Sequence, residues 1–113
     1  MPGGFGGGLI DVAEDLILAN VATGALMTIW GEALEGLNSG QRTIATWYVI
    51  PAMQDAILSD PEGFDSGTLQ DAGYSSHYAA FDALSDTIEN AADAAEDARD
   101  NVQDALSIIE IVV

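Results

Sequence analysis

The 113-residue chain reads as all-α: a small helical bundle with a long C-terminal coiled-coil-like helix and a flexible glycine-rich N-terminal arm. Three observations predict this. From Phe81 to Val112 apolar and small residues recur at alternating three- and four-residue spacing, the period of a helix with one buried stripe. Two apolar segments lie upstream, ended by Gly36 with Asn38-Ser39-Gly40 and by Asp60-Pro61-Glu62-Gly63. Hydrophobic residues make up 49% of the chain, enough for a core, and there are only three prolines. The expected organisation is an arm over residues 1–8 and one helical domain over 9–113, with helices at about 9–35, 42–59 and 76–112.

The arm, Met1-Pro2-Gly3-Gly4-Phe5-Gly6-Gly7-Gly8, holds too many glycines to keep a regular element unaided. Phe5 is its candidate anchor on a neighbouring subunit. No strand precedes these glycines and their spacing is wrong for a phosphate loop. Helix 1 opens with Asp11, Glu14 and Asp15 near the positive end of its dipole. Beyond them Leu16, Ile17, Leu18, Val21, Leu26, Met27, Ile29 and Trp30 point in nearly every direction, as in a helix surrounded by neighbours. Its uncharged stretch, Leu16 to Gly31, falls short of the roughly 18–20 residues that span a bilayer.

Helix 2 carries Ile44, Trp47, Tyr48, Ile50, Met53, Ile57 and Leu58 as a broad apolar face, and Pro51 should kink or split it near Ile50. Aromatic residues at this spacing, Trp30, Trp47, Tyr48 and Phe81 among them, read as core. The turn Asp60-Pro61-Glu62-Gly63 leads to a connector, 64–73, in which Thr68-Leu69-Gln70-Asp71 has the chemistry for a single helical turn.

Helix 3 has its seam at Phe81, Leu84, Ile88, Ala91, Ala95, Ala98, Val102, Ala105, Ile109 and Val112, the a and d positions of a heptad. Its acids, Asp82, Asp86, Glu89, Asp93, Glu96, Asp97, Asp100, Asp104 and Glu110, all take the outward b, c and f positions. Alanine at three of five d positions allows close packing, so the seam is the candidate interface, and no e/g salt bridges select a partner. Arg99 at an e position reads as a surface partner of Glu96, worth under about 1 kcal/mol. The tail Leu106-Ser107-Ile108-Ile109-Glu110-Ile111-Val112-Val113 is apolar on almost all sides, fits helix or strand, and should be covered.

Charge says most about the setting. There is no lysine, and Arg42 and Arg99 face 19 acids, for a net charge of -17. In dilute buffer these carboxylates repel one another, whereas at roughly 1 M salt the Debye length is about 3 Å and the repulsion is screened. The composition resembles that of haloarchaeal proteins in general. Service as a nucleic-acid mimic explains the acids but not the missing lysine, and direct nucleic-acid binding lacks the cations it needs. No secretory leader is read at the N-terminus, which has no basic region. Cytoplasm or virion of a high-salt organism is the expected location.

Chemistry is sparse. Without cysteine there are no disulfides or thiolate metal sites. His77, the single histidine, reads as a residue at the start of helix 3 with Ser75 or Ser76 as N-cap, and has no histidine partner for a metal. Asp60, Glu62, Asp65 and Asp71 miss the EF-hand register, since Phe64 and Asp65 stand where a ligand and a glycine belong. No enzyme and no cofactor are therefore expected. The expected role is a structural or assembly subunit of a homo- or hetero-oligomer in a halophile, in its most specific form a capsid-, neck- or tail-associated virion component. Its partners would be itself or other structural proteins. The alternatives are a small membrane-associated protein with helices 1 and 2 as a hairpin, and an acidic module that binds a basic protein.

Overall fold

In the computed structural model the backbone is described for residues 4–76 and 81–112, and the side chains for 12–76 and 82–108. Every described element is helical: α1 (Gly4–Glu35), α2 (Ser39–Ile44), a π-helical turn (Ala45–Val49), α3 (Ile50–Ser59), α4 (Ser66–Ser76) and α5 (Phe81–Val112). α1 starts at Gly4, inside the expected arm, so Asp11, Glu14 and Asp15 lie past its first turn. The Phe5 side chain lies outside the described residues.

The second helix begins earlier than expected because Asn38 caps it. The Asn38 Oδ1 accepts from the Gln41 N–H (2.9 Å), and the Gln41 Oε1 accepts from the Asn38 N–H (3.2 Å), a reciprocal box that satisfies two free helix-end donors. Arg42 reaches back across the turn, where its guanidinium donates to the carbonyls of Leu34 (3.1 Å) and Leu37 (2.9 Å). The cation thus sits on the negative end of α1. The break expected near Ile50 takes the form of a π-helical turn over Ala45–Val49 that gives way to α3 at Ile50. The turn before Pro51 widens, the Ile50 N–H donates to the Ala45 carbonyl, and α3 starts with proline in its first turn, where no donor is needed.

The expected connector at 64–73 is instead mostly helix. Asp65 caps α4, its Oδ1 accepting from the N–H (2.7 Å) and hydroxyl (2.8 Å) of Thr68. The Thr68 hydrogen bonds, backbone first, hold the Asp65 carboxyl below the usual carboxylate range; desolvation opposes them, and the charge of Arg99 adds a lesser lowering. Ser75 and Ser76 close α4, donating to the carbonyls of Asp71 and Gly73, rather than capping the last helix. His77 lies outside the described residues. α5 continues to Val112, which makes the apolar tail helix and not strand through that residue.

Side-chain contacts fix how the helices run. Gly73 lies where a Cβ would come within 3.0 Å of Ile88 Cγ2 and 3.2 Å of Met53 Sδ, and Gln54 Nε2 approaches Met27 Sδ at 3.4 Å. One level of the bundle therefore holds α1 at Met27, α3 at Met53, α4 at Gly73 and α5 at Ile88. Above it Ser66 donates to Asp93, and Arg99 meets the 60–65 turn. The core of Leu26, Trp30, Val49, Met53, Ile57, Leu69, Leu84 and Ile88 fills the space between. Trp30 is fully buried with its indole N–H unpartnered. That costs about 1–3 kcal/mol, which the burial of the ring offsets.

The core ends before the long helices do. Among the described side chains no buried one precedes Leu18 on α1 or follows Arg99 on α5, although both helices run on. α1 and α5 form the most extensive helix pair. Beyond the Arg99 level they project as a two-helix stem, about 20 Å long at 1.5 Å per residue. The radius of gyration, 15.9 Å, exceeds the roughly 13 Å of a compact chain this size, and the long dimension is 52 Å.

Candidate functional site

The seam of the last helix divides into two parts. Leu84, Ile88, Ala91 and Ala95 are buried inside the subunit, together with the e-position Ala92. The buried stripe is thus a, d and e rather than a and d alone, the broader face of a helix in a globular bundle. In the stem Ala98 and Val102 are half-buried and Ala105 is exposed. The side chains of Phe81, Ile109 and Val112 lie outside the described residues. The described acids of α5 point to solvent as expected, with Glu96 half-covered.

Arg99 is not a surface partner of Glu96. It is 5% exposed, with its guanidinium 4.4 Å from the centroid of the Phe64 ring. Its Nη1 donates to the Pro61 carbonyl (3.2 Å) and its Nε to the neighbouring Asp100 carboxylate (2.7 Å). Both arginines of the chain therefore bind backbone carbonyls at interhelical turns. Arg42 fastens the α1–α2 turn, and Arg99 fastens the α3–α4 turn to α5. The local partner of Arg99 is thus Asp100 rather than Glu96, and its other two partners lie 38 and 35 positions away in sequence.

Asp60 and Asp65 spend their carboxylates on local backbone, at Gly63 and Thr68. Among the described residues no group of three or more His, Asp or Glu is placed to hold a metal, and no pocket opens in the described surface.

What the fold does build is an uncharged face. All 19 acids and both arginines lie outside two stretches, Leu16–Gly31 and Thr43–Gln54. The α1–α2 turn folds these stretches back on one another, and the Gln54–Met27 contact joins them. The outward side of this pair exposes Leu16 (60%), Ile17, Met27 and Trp47 (71%), with Tyr48 also exposed. Trp47 and Tyr48 are not core, as the apolar spacing of helix 2 suggested. The π turn holds one extra residue, which keeps Ala45 and Val49 inward while Trp47 and Tyr48 face out.

Between the large side chains are small ones. Gly24 and Gly31 are exposed, with nothing within 4 Å of where a Cβ would stand. Thr28 donates its hydroxyl to the Gly24 carbonyl (2.9 Å), so its polarity is satisfied within the helix. Towards the stem Val12 is exposed on α1 and Ile108 (63%) on α5. By length and composition, the Val12–Glu35 part of α1 is long and apolar enough to cross a membrane, with 22% of that stretch buried. The uncharged stretch alone is shorter than a span, and Val12–Glu35 reaches the length by taking in Glu14, Asp15, Glu32 and Glu35 near its ends.

Compared with models of known protein families, with curated proteins and with solved structures, the chain matches none. Its functional reading rests on its own residues.

Proposed function

We propose that the protein is a structural subunit that assembles through the uncharged face of α1 and α2–α3 in a high-salt setting, such as a halophile's multi-subunit complex or virion. One observation carries this reading: a chain of net charge -17 has a two-helix surface free of charge and lined by exposed Leu16, Ile17, Met27 and Trp47. Apolar exposure of this kind, rimmed by charge, marks a surface that another macromolecule covers. Each large side chain buried there contributes about 1–2 kcal/mol, allowing for the part already covered. The carboxylates elsewhere keep the subunit soluble and restrict contact to this side.

The test is charge insertion. In roughly 1 M KCl, where the Debye length is about 3 Å, Leu16→Glu with Trp47→Glu should lower the mass seen by sedimentation while helicity holds, because both side chains are already in water. An unchanged mass would remove this face from the assembly.

The length and apolarity of Val12–Glu35 favour a second reading, attachment to a lipid bilayer. It meets two physical obstacles. Spanning would draw the α5 carboxylates into hydrocarbon, at about 2.5–3.5 kcal/mol each, or strip Leu18, Leu26 and Trp30 from their core. Lying on the surface calls for Lys and Arg to meet anionic headgroups, and this chain has no lysine.

A further inference from the structure

We infer that the occupant of the uncharged face is a second copy of this chain, packed about a two-fold axis with α1 antiparallel to its counterpart and the closest approach at Gly24. This rests on the assembly reading and adds partner and geometry to it. The first argument is charge. Much of the described surface brings carboxylates of one copy against those of the next, whereas the stretch Leu16–Gly31 with its neighbour Thr43–Gln54 meets its own image without a charged pair.

The second argument is register. The uncharged stretch of α1 has its midpoint at residues 23 and 24. An antiparallel copy centred on Gly24 therefore sets uncharged turns opposite uncharged turns throughout. Gly24 faces its own image, and Gly31 faces Ile17 of the other copy, a bare backbone opposite an exposed branched side chain. Trp47, two turns from Gln54 towards the α1–α2 turn, flanks the Gly31 end of the contact. Two-fold contacts of this self-complementary kind are the commonest in homo-oligomers.

The third argument is area. From Val12 to Gly31 α1 runs about 29 Å and from Thr43 to Gln54 the second stretch runs about 17 Å, each about 10 Å wide. The face is then roughly 450 Å² per copy, about 900 Å² in total, in the range of weak association below about 1,200 Å². With so little area, close approach matters. Glycine at two exposed positions inside a helix lowers its stability, and nothing within the subunit requires it at either. A partner backbone lying against α1 does. The acids at the ends of the stretch, Asp15 and Glu32, come near their counterparts at the rim, so the contact strengthens as salt rises.

Gly24→Leu tests this. A leucine there meets open space in the single subunit and improves the helix, so the melting temperature of the subunit should hold or rise. Sedimentation equilibrium in roughly 1 M KCl should show self-association weakened by at least about tenfold. A second variant, Gly24→Cys, has no other cysteine to react with and should give a covalent dimer on mild oxidation. If the unmodified chain associates but Gly24→Leu associates equally well and Gly24→Cys stays uncrosslinked, the α1 contact is overturned and the assembly reading stands. If the unmodified chain is monomeric, both fall. Monomers that float with phosphatidylglycerol vesicles would give the face to lipid instead.

Discussion

Lowering the salt should weaken α5 by an amount that its geometry sets. Eight described acids line its outer side, and they form like-charge neighbours one turn apart. Those four residues apart are Asp82/Asp86, Glu89/Asp93, Asp93/Asp97, Glu96/Asp100 and Asp100/Asp104; those three apart are Asp86/Glu89, Asp93/Glu96 and Asp97/Asp100. At about 0.2–0.5 kcal/mol per pair the repulsion totals roughly 2–4 kcal/mol at low ionic strength. No lysine offsets it, and the one arginine of α5, Arg99, meets only Asp100 among these acids. At roughly 1 M KCl the Debye length of about 3 Å screens most of it, whereas at about 0.01 M it is near 30 Å. With roughly 4 °C per kcal/mol for a domain of this size, the melting temperature followed by circular dichroism should fall by about 8–15 °C between these salts. The double variant Asp93→Asn, Asp97→Asn removes four of the eight pairs, Glu89/Asp93, Asp93/Asp97, Asp93/Glu96 and Asp97/Asp100, and keeps an acceptor for Ser66. It should lose about half of the α5 share of that salt dependence. A melting temperature indifferent to KCl, or a variant as salt-sensitive as the parent, would refute the reasoning.

Three other outcomes follow from single side chains. Arg99→Met removes a charged hydrogen bond to the Pro61 carbonyl and the stack on Phe64, together about 2–4 kcal/mol, and should lower the melting temperature in high salt by roughly 8–15 °C; a change within error would show that the buried guanidinium holds nothing. Ala95→Glu forces a charge into the fully buried core, a loss of about 4 kcal/mol or more, so it should unfold the subunit and abolish its helical signal rather than only separate copies. The depressed Asp65 carboxyl contributes stability that is present above the ordinary carboxylate range, about 3.9, and is lost as pH falls through its lower folded value. Asp65→Asn keeps the acceptor for Thr68 and should flatten that part of an acid melting series, while Asp65→Ala should lower the melting temperature at neutral pH as well.

The register of the last helix was legible because two independent patterns, apolar residues at three-four spacing and acids on the opposite side, agree over the whole element. What the register did not tell is who covers the seam. Leu84 to Ala95 pack within the chain, and the sequence does not distinguish a helix of the same subunit from one of another. α4 reads in the sequence as no more than a single turn at Thr68–Asp71 because Gly67, Gly73, Ser75 and Ser76 are weak helix formers. Its signal was Asp65 three residues before Thr68, with Leu69 as the first apolar contact, a cap ahead of a short helix. Gly73, a poor choice by propensity, is there because Met53 and Ile88 leave no room for a side chain. Arg99 depends on Pro61 and Phe64, contacts that no local pattern encodes. The uncharged face was visible in the sequence as two stretches without charge. Knowing that they are neighbours required the α1–α2 turn that Asn38, Gln41 and Arg42 build.

Sedimentation equilibrium of the unmodified chain in roughly 1 M KCl, where charge repulsion is screened, tests the central claim most directly. The account predicts a mass that is a multiple of 11.7 kDa and returns towards the single-chain value as salt is withdrawn. A single 11.7 kDa species at every concentration in high salt, with Leu16, Met27 and Trp47 left in water, would contradict it.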